Sequence, residues 1–215
     1  MIEYLFTSPV FFLIWIAALL IAIAVHEFAH ALAADRLGDP TPKLQGRLTL
    51  NPIAHLDPLG TLMILLFRFG WGKPVRIDPF NLKDPRRDQA LIALAGPGSS
   101  LLTAVLLALV LRILIQFAPF NPSFFYTLFS PFIVLNVGLG IFNLLPIHPL
   151  DGGKILVGLL PKESALQVDE FLGQYGIIIL LLLVFPFFGT SLLTQIIVSP
   201  IGFLLNFLLP AFPFS

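Results

Sequence analysis

The chain has 215 residues, 57% of them hydrophobic and 11% charged, with twelve basic and twelve acidic side chains and a formal net charge of zero. This composition excludes an ordinary water-soluble domain, and the lack of net positive charge gives no electrostatic reason to bind nucleic acid. The absence of cysteine excludes disulfides and thiolate chemistry.

The first apolar run, Pro9 to Ala34, exceeds the roughly 20 residues that cross a bilayer. It stops at Asp35-Arg36, with Gly38 and Pro40 beyond. The run lacks a basic start and is too long for a signal peptide's apolar core, so it reads as a retained helix. From Thr41 to Pro58 the chain is broken by prolines and polar residues. Leu44, Leu48 and Leu50 have even, strand-like spacing, which predicts a short strand or re-entrant loop packed against protein. Leu59 to Phe67 is apolar but short, and dips into the membrane or crosses it thinly. A polar, basic stretch from Arg68 to Asp88 precedes a second span at about Gln89 to Gln116, which carries the small-residue run Ala95-Gly96-Pro97-Gly98-Ser99-Ser100. A third span is predicted at about Phe124 to Leu145, an amphipathic piece at Ala165 to Leu172, a fourth span at about Tyr175 to Val198, and a short apolar piece at Ile201 to Leu209.

If the first helix runs outside to inside, eleven of the twelve basic residues fall on the cytoplasmic side and Arg112 alone lies outside. That orientation places the C-terminal part of the first helix and the stretch around Asp151 at the same membrane face. They can therefore meet.

Chemistry enters at His26-Glu27-Phe28-Ala29-His30, inside the first span. Residues four apart share a helix face, so His26 and His30 can bind one Zn²⁺, with Glu27 as general base toward a water that the metal activates. Two histidines and a glutamate in an apolar helix would otherwise each need a buried partner. A zinc hydrolase needs a third protein ligand and an open position. His55, His148 and the carboxylates are all formal candidates. Asp151 differs from the rest because it closes a run, beginning after Arg112, that holds no charged residue, at the depth of the histidine pair.

Four segments give the chain its resemblance to a known family: His26 to His30; Asn51-Pro52-Ile53-Ala54-His55-Leu56-Asp57-Pro58-Leu59-Gly60-Thr61; Ala95-Gly96-Pro97; and Asn143-Leu144-Leu145-Pro146-Ile147-His148-Pro149-Leu150-Asp151-Gly152-Gly153. In this order they resemble the site-2 proteases, the intramembrane zinc metalloproteases of peptidase family M50, in a compact prokaryotic-type form without a PDZ insertion. The resemblance implies that His26, His30 and Asp151 hold one zinc per chain and that Glu27 takes a proton from water and delivers it to the leaving amine. It also implies substrate handling by Asn143, which a buried amide bonding nearby backbone would explain equally well. His148 stands where the family usually has proline; it is either an accessory metal ligand or, as favoured by the intervening Pro149, an interfacial loop imidazole. His55 and Asp57 read as loop-fixing residues in preference to a second metal pair.

The expectation is thus an all-α polytopic membrane protein with about four to six transmembrane or re-entrant helices and a short β-like re-entrant loop after the first. Residues 1–215 are expected to form one membrane-embedded metalloprotease domain, with a catalytic core over about 9–160 and C-terminal helices over about 165–210. Its expected activity is zinc-dependent hydrolysis of peptide bonds in transmembrane segments of other proteins, in a prokaryotic cell membrane, with the active site toward the cytoplasm. The Leu44 to Leu50 stretch could help by pairing with an extended substrate. The alternative is a non-catalytic, metal-dependent membrane scaffold or binding protein of the same fold, for which Glu27 would serve no purpose.

Overall fold

The computed structural model describes residues 7–60, 63, 72–117, 121–186 and 190–210. The helices of more than two turns among them are α1 (Pro9–Leu37), α2 (Pro85–Phe117), α3 (Pro122–Asn143), α4 (Asp151–Leu159), α5 (Lys162–Val184) and α6 (Leu192–Leu208). Of these, α1, α2, α3 and α5 are long and apolar enough to cross a membrane, and no β-strand forms among the described residues. The chain is an all-α, polytopic integral membrane protein.

Its centre is a seam between α1 and α2. Along α1, Ala18, Ala22, His26, His30 and Ala34 recur every four residues and are all buried. Along α2, Ile92, Gly96, Ser100, Ala104 and Ala108 do the same. Each set forms an i±4 ridge, and its small side chains let two backbones approach closely, which is what drives helix association where lipid offers no hydrophobic gain. The histidine pair is built into one ridge and therefore faces the other. Helix α3 packs against α2 farther along, where Ile133 and Val137 join Ala104, Ala108 and Leu111 in the larger of the buried apolar clusters. Short α4 lies on α2 near its start.

The helix ends follow from local chemistry. Gly38, with φ of 110°, closes α1 in a left-handed cap whose N–H bonds the Ala34 and Asp35 carbonyls. Asp84 precedes α2 and accepts from the Arg87 N–H, while Asp88 reaches back to the Asp84 N–H. Asn121 and Ser191 cap α3 and α6 in the same way.

The polar connection after α1 is a loop without a strand. Thr41–Leu44 makes one helical turn, Gly46 has φ of 69°, and Pro52–His55 forms a 3₁₀ turn, so Leu44 to Leu50 does not extend as its even spacing suggested. Leu56 and Gly72 form an isolated antiparallel bridge. Buried Asp39 ties this loop down: its carboxylate accepts from the Thr41 N–H at 3.0 Å, the Asn81 amide at 2.9 Å and the Asp78 N–H at 2.8 Å. The short apolar dip expected over Leu59 to Phe67 falls largely outside the described residues.

The first three spans lie close to their expected bounds, and the C-terminal part differs. Ala165 to Leu172 is not a separate amphipathic piece but the start of α5, which ends at Val184 and not at Val198. Pro186 has no N–H to continue the helix and favours extended backbone at Phe185, which has φ of −73° and ψ of 132°. The following apolar residues restart as α6, which continues through Pro200.

Candidate metal centre

Three polar side chains converge at the α1–α2 seam. His26 and His30 project from α1, and Asp151, the first residue of α4, reaches them from a sequence distance of 125 residues. The His26 and His30 Nε2 atoms are 3.1 Å apart, and Asp151 Oδ2 lies 3.1 Å from the first and 3.2 Å from the second. These three donor atoms make a nearly equilateral triangle. A tetrahedral zinc with bonds of about 2.0 Å has edges of about 3.3 Å, so the triangle matches one face of such a site.

The far sides of the rings show how the triangle could hold a cation. His30 Nδ1 stands 2.7 Å from the Ile92 carbonyl oxygen, which only accepts, so Nδ1 carries a proton and Nε2 is the nitrogen that can offer a lone pair to a metal. His26 Nδ1 is 3.1 Å from the Ser100 hydroxyl, which holds its ring in place. Both imidazoles are buried. Two ring nitrogens and a carboxylate oxygen, all electron-rich, would otherwise face one another in a poorly solvated space. The donor set of two histidines and a carboxylate suits zinc, and the outer hydrogen bonds are those that orient metal-binding histidines.

The backbone around the group is tightly constrained. Gly96 on α2 lies directly against both imidazoles. A Cβ on Gly152 would stand 2.2 Å from the Leu145 carbonyl, so the turn leading into Asp151 closes only over a glycine. Glu27, next to His26, is half-buried at the edge of the group.

The remaining residues singled out from the sequence sit elsewhere. Asn143, at the end of α3, donates from its amide to the Leu139 carbonyl at 3.0 Å. His148 pairs with Asp169 of α5, Nε2 to Oδ1 at 2.9 Å, and is not part of the three-residue group. His55 is fully buried and its Nε2 bonds the Thr49 carbonyl at 2.8 Å, fixing the loop. Asp57 accepts from the Gly60 N–H at 2.8 Å.

Ser100, the Ile92 carbonyl and Asp169 were not anticipated. The signal for the first two was present: Ile92, Gly96 and Ser100 repeat every four residues, the same interval as the histidines they meet. Asp169 carried no signal, because its position beside His148 depends on how α5 docks.

Comparison with known proteins gives the same picture. The sequence profile of "Peptidase family M50" matches residues 14–183. The chain is similar to YwhC of Bacillus subtilis (strain 168), 40% identical over 172 residues, covering 78% of each protein. It is also similar to Rip2 of Mycolicibacterium smegmatis, 32% identical over 216 residues, covering 91% of this chain and 81% of that protein. Both carry a provisional zinc-metalloprotease name. The zinc metalloprotease MJ0392 of Methanocaldococcus jannaschii is 27% identical over 156 residues, covering 73% of this chain and 37% of that protein. No solved structure matches the chain.

Proposed function

The chain belongs to peptidase family M50 and is a membrane metalloprotease of the zinc type, and we propose that it cleaves peptide bonds within transmembrane segments of other membrane proteins. The observation that carries the reading is the triangle of His26, His30 and Asp151 donor atoms in a seam between helices long and apolar enough to cross a membrane, a place that suits a substrate that itself enters the membrane.

In this reading His26, His30 and Asp151 hold one zinc per chain. Zinc, when bound, supplies Lewis-acid activation of water and of the scissile carbonyl. Glu27 accepts the proton from the attacking water and gives it to the leaving amine. The Ile92 carbonyl holds His30 in the Nδ1–H tautomer, and both it and the Ser100 hydroxyl hold the rings in the orientation that points Nε2 inward. Asn143, half-buried at the end of α3, is placed to bond an unwound substrate backbone once its amide releases the Leu139 carbonyl. Residues 1–215 are proposed to act as one metalloprotease domain, with about 9–160 as its core and the C-terminal helices alongside.

The distribution of basic residues supports an active site toward the cytoplasmic side of a prokaryotic cell membrane. In a four-span path the end of α1, the start of α2, the end of α3 and the start of α5 share one face, and ten of the eleven Lys and Arg among the described residues belong to it.

The deciding experiment is Glu27→Gln. For a protease, zinc content stays at the wild-type level while cleavage of a reconstituted transmembrane substrate falls by about a hundred-fold or more. Cleavage at the wild-type rate in this variant would reject Glu27 as the base. A wild-type protein that binds zinc and cleaves no transmembrane substrate would favour the scaffold reading.

A further inference from the structure

A second polar site lies away from the zinc-type group, between the starts of α2 and α5 and the outer face of α4. It is a pocket of about 530 Å³ whose charged lining is Arg86, Lys154, Lys162, Asp84 and Asp169. The two signs are not in the same condition. Asp84 is occupied as a helix cap, accepting from the Arg87 N–H, and Asp169 takes the His148 imidazole. Arg86 bonds the Leu160 carbonyl through one nitrogen, and among the described residues neither it nor Lys154 or Lys162 forms an ion pair. The wall therefore offers unspent donors to an anion. Pro85 and Lys162 are the first residues of α2 and α5, so the positive ends of two long helices add to the same field.

We propose that this pocket binds a phosphate-bearing anion, and specifically the headgroup of an anionic phospholipid. Two observations favour the lipid over a soluble phosphate compound. The pocket lies at the first residues of two helices long and apolar enough to cross a membrane, and Val157, Ala165 and Leu166 continue its lining with apolar surface that suits glycerol and the first methylenes of an acyl chain. The inference does not depend on the proteolytic reading. It does have a consequence for it: Lys154 lies one turn after Asp151 on α4, so a headgroup bound there braces the helix that presents Asp151.

The test is native mass spectrometry of the full chain in detergent, titrated separately with phosphatidylglycerol, phosphatidylcholine and soluble glycerol phosphate. The wild type should bind phosphatidylglycerol about ten-fold more tightly than phosphatidylcholine. Lys154→Gln with Lys162→Gln should abolish that preference, and Lys154→Arg with Lys162→Arg should restore it. Lys83→Gln with Arg87→Gln, which removes two exposed charges outside the pocket, should leave it intact. Equal binding of the two lipids by the wild type, or equal loss in both glutamine pairs, overturns the site. Glycerol phosphate binding as tightly as phosphatidylglycerol would overturn the lipid assignment in favour of a soluble ligand.

Discussion

A Cβ placed on Gly96 of α2 would stand 2.2 Å from His30 Nε2 of α1, the atom that faces His26 and Asp151. The obstruction would be one side chain against another on two helices whose ridges interlock, so relief requires the helices to separate or the imidazole to turn out of the group. Gly96→Ala should therefore remove bound zinc while leaving far-ultraviolet helical content unchanged, since alanine is a good helix former. Metal analysis beside circular dichroism reads both. Zinc at the wild-type level in this variant would show that the seam is looser than its geometry implies.

Ser100 is expected to matter by degree. Its hydroxyl is fully buried against His26 Nδ1, and its loss leaves that nitrogen without a partner while the ligand atoms remain. Ser100→Ala should weaken zinc binding by about ten-fold or more, with stoichiometry still reaching the wild-type value at saturating metal. Competition with a chromophoric chelator measures it, and an unchanged affinity would remove Ser100 from the site.

His148 poses the opposite case. Its imidazole is engaged by Asp169, which draws it away from the three donor atoms. His148→Ala should keep the full zinc content and lower thermal stability only slightly, because the Asp169 side chain is 59% exposed and such a pair is worth under about 1 kcal/mol. A loss of zinc in this variant would instead make His148 an accessory ligand.

Asp39 gives a pH dependence with a defined sign. Burial alone would raise its pKa, but the hydrogen bonds from Thr41, Asn81 and the Asp78 N–H outweigh burial and hold it below the ordinary carboxylate value. A group with a lowered folded pKa stabilises fully above its unfolded value of about 3.9 and loses that contribution as pH falls through the folded pKa. Asp39→Asn should thus cost about 1–3 kcal/mol near neutrality, and its deficit against the wild type should shrink as pH drops below about 4. Thermal melts in detergent across that range check it; a deficit constant with pH would assign the acid sensitivity to another group.

The sequence by itself determined the class of molecule and pointed to its candidate metal group. An apolar composition compels membrane helices, and two histidines four apart share a face of any helix, so the His26 and His30 pair was legible without a fold. Asp151 was legible for a related reason: a carboxylate ending a long uncharged run needs a partner. Local stop signals placed the first three spans well, because Gly38 and the prolines at helix starts act within a turn of themselves. Local spacing misled at Leu44 to Leu50, where Gly46 and the flanking prolines outweighed an even pattern of leucines. It misled again after Gly173, where one proline, Pro186, divided what hydropathy joined.

Only the tertiary structure decided which side chains complete the site. The ridges of α1 and α2 interlock because both repeat at four residues, and that contact brings Ser100 and the Ile92 carbonyl behind the imidazoles. The docking of α5 gives His148 a carboxylate partner in Asp169. Such pairings join residues 21 to 74 positions apart, and no local propensity records them; they follow from which faces meet when small residues let membrane helices close.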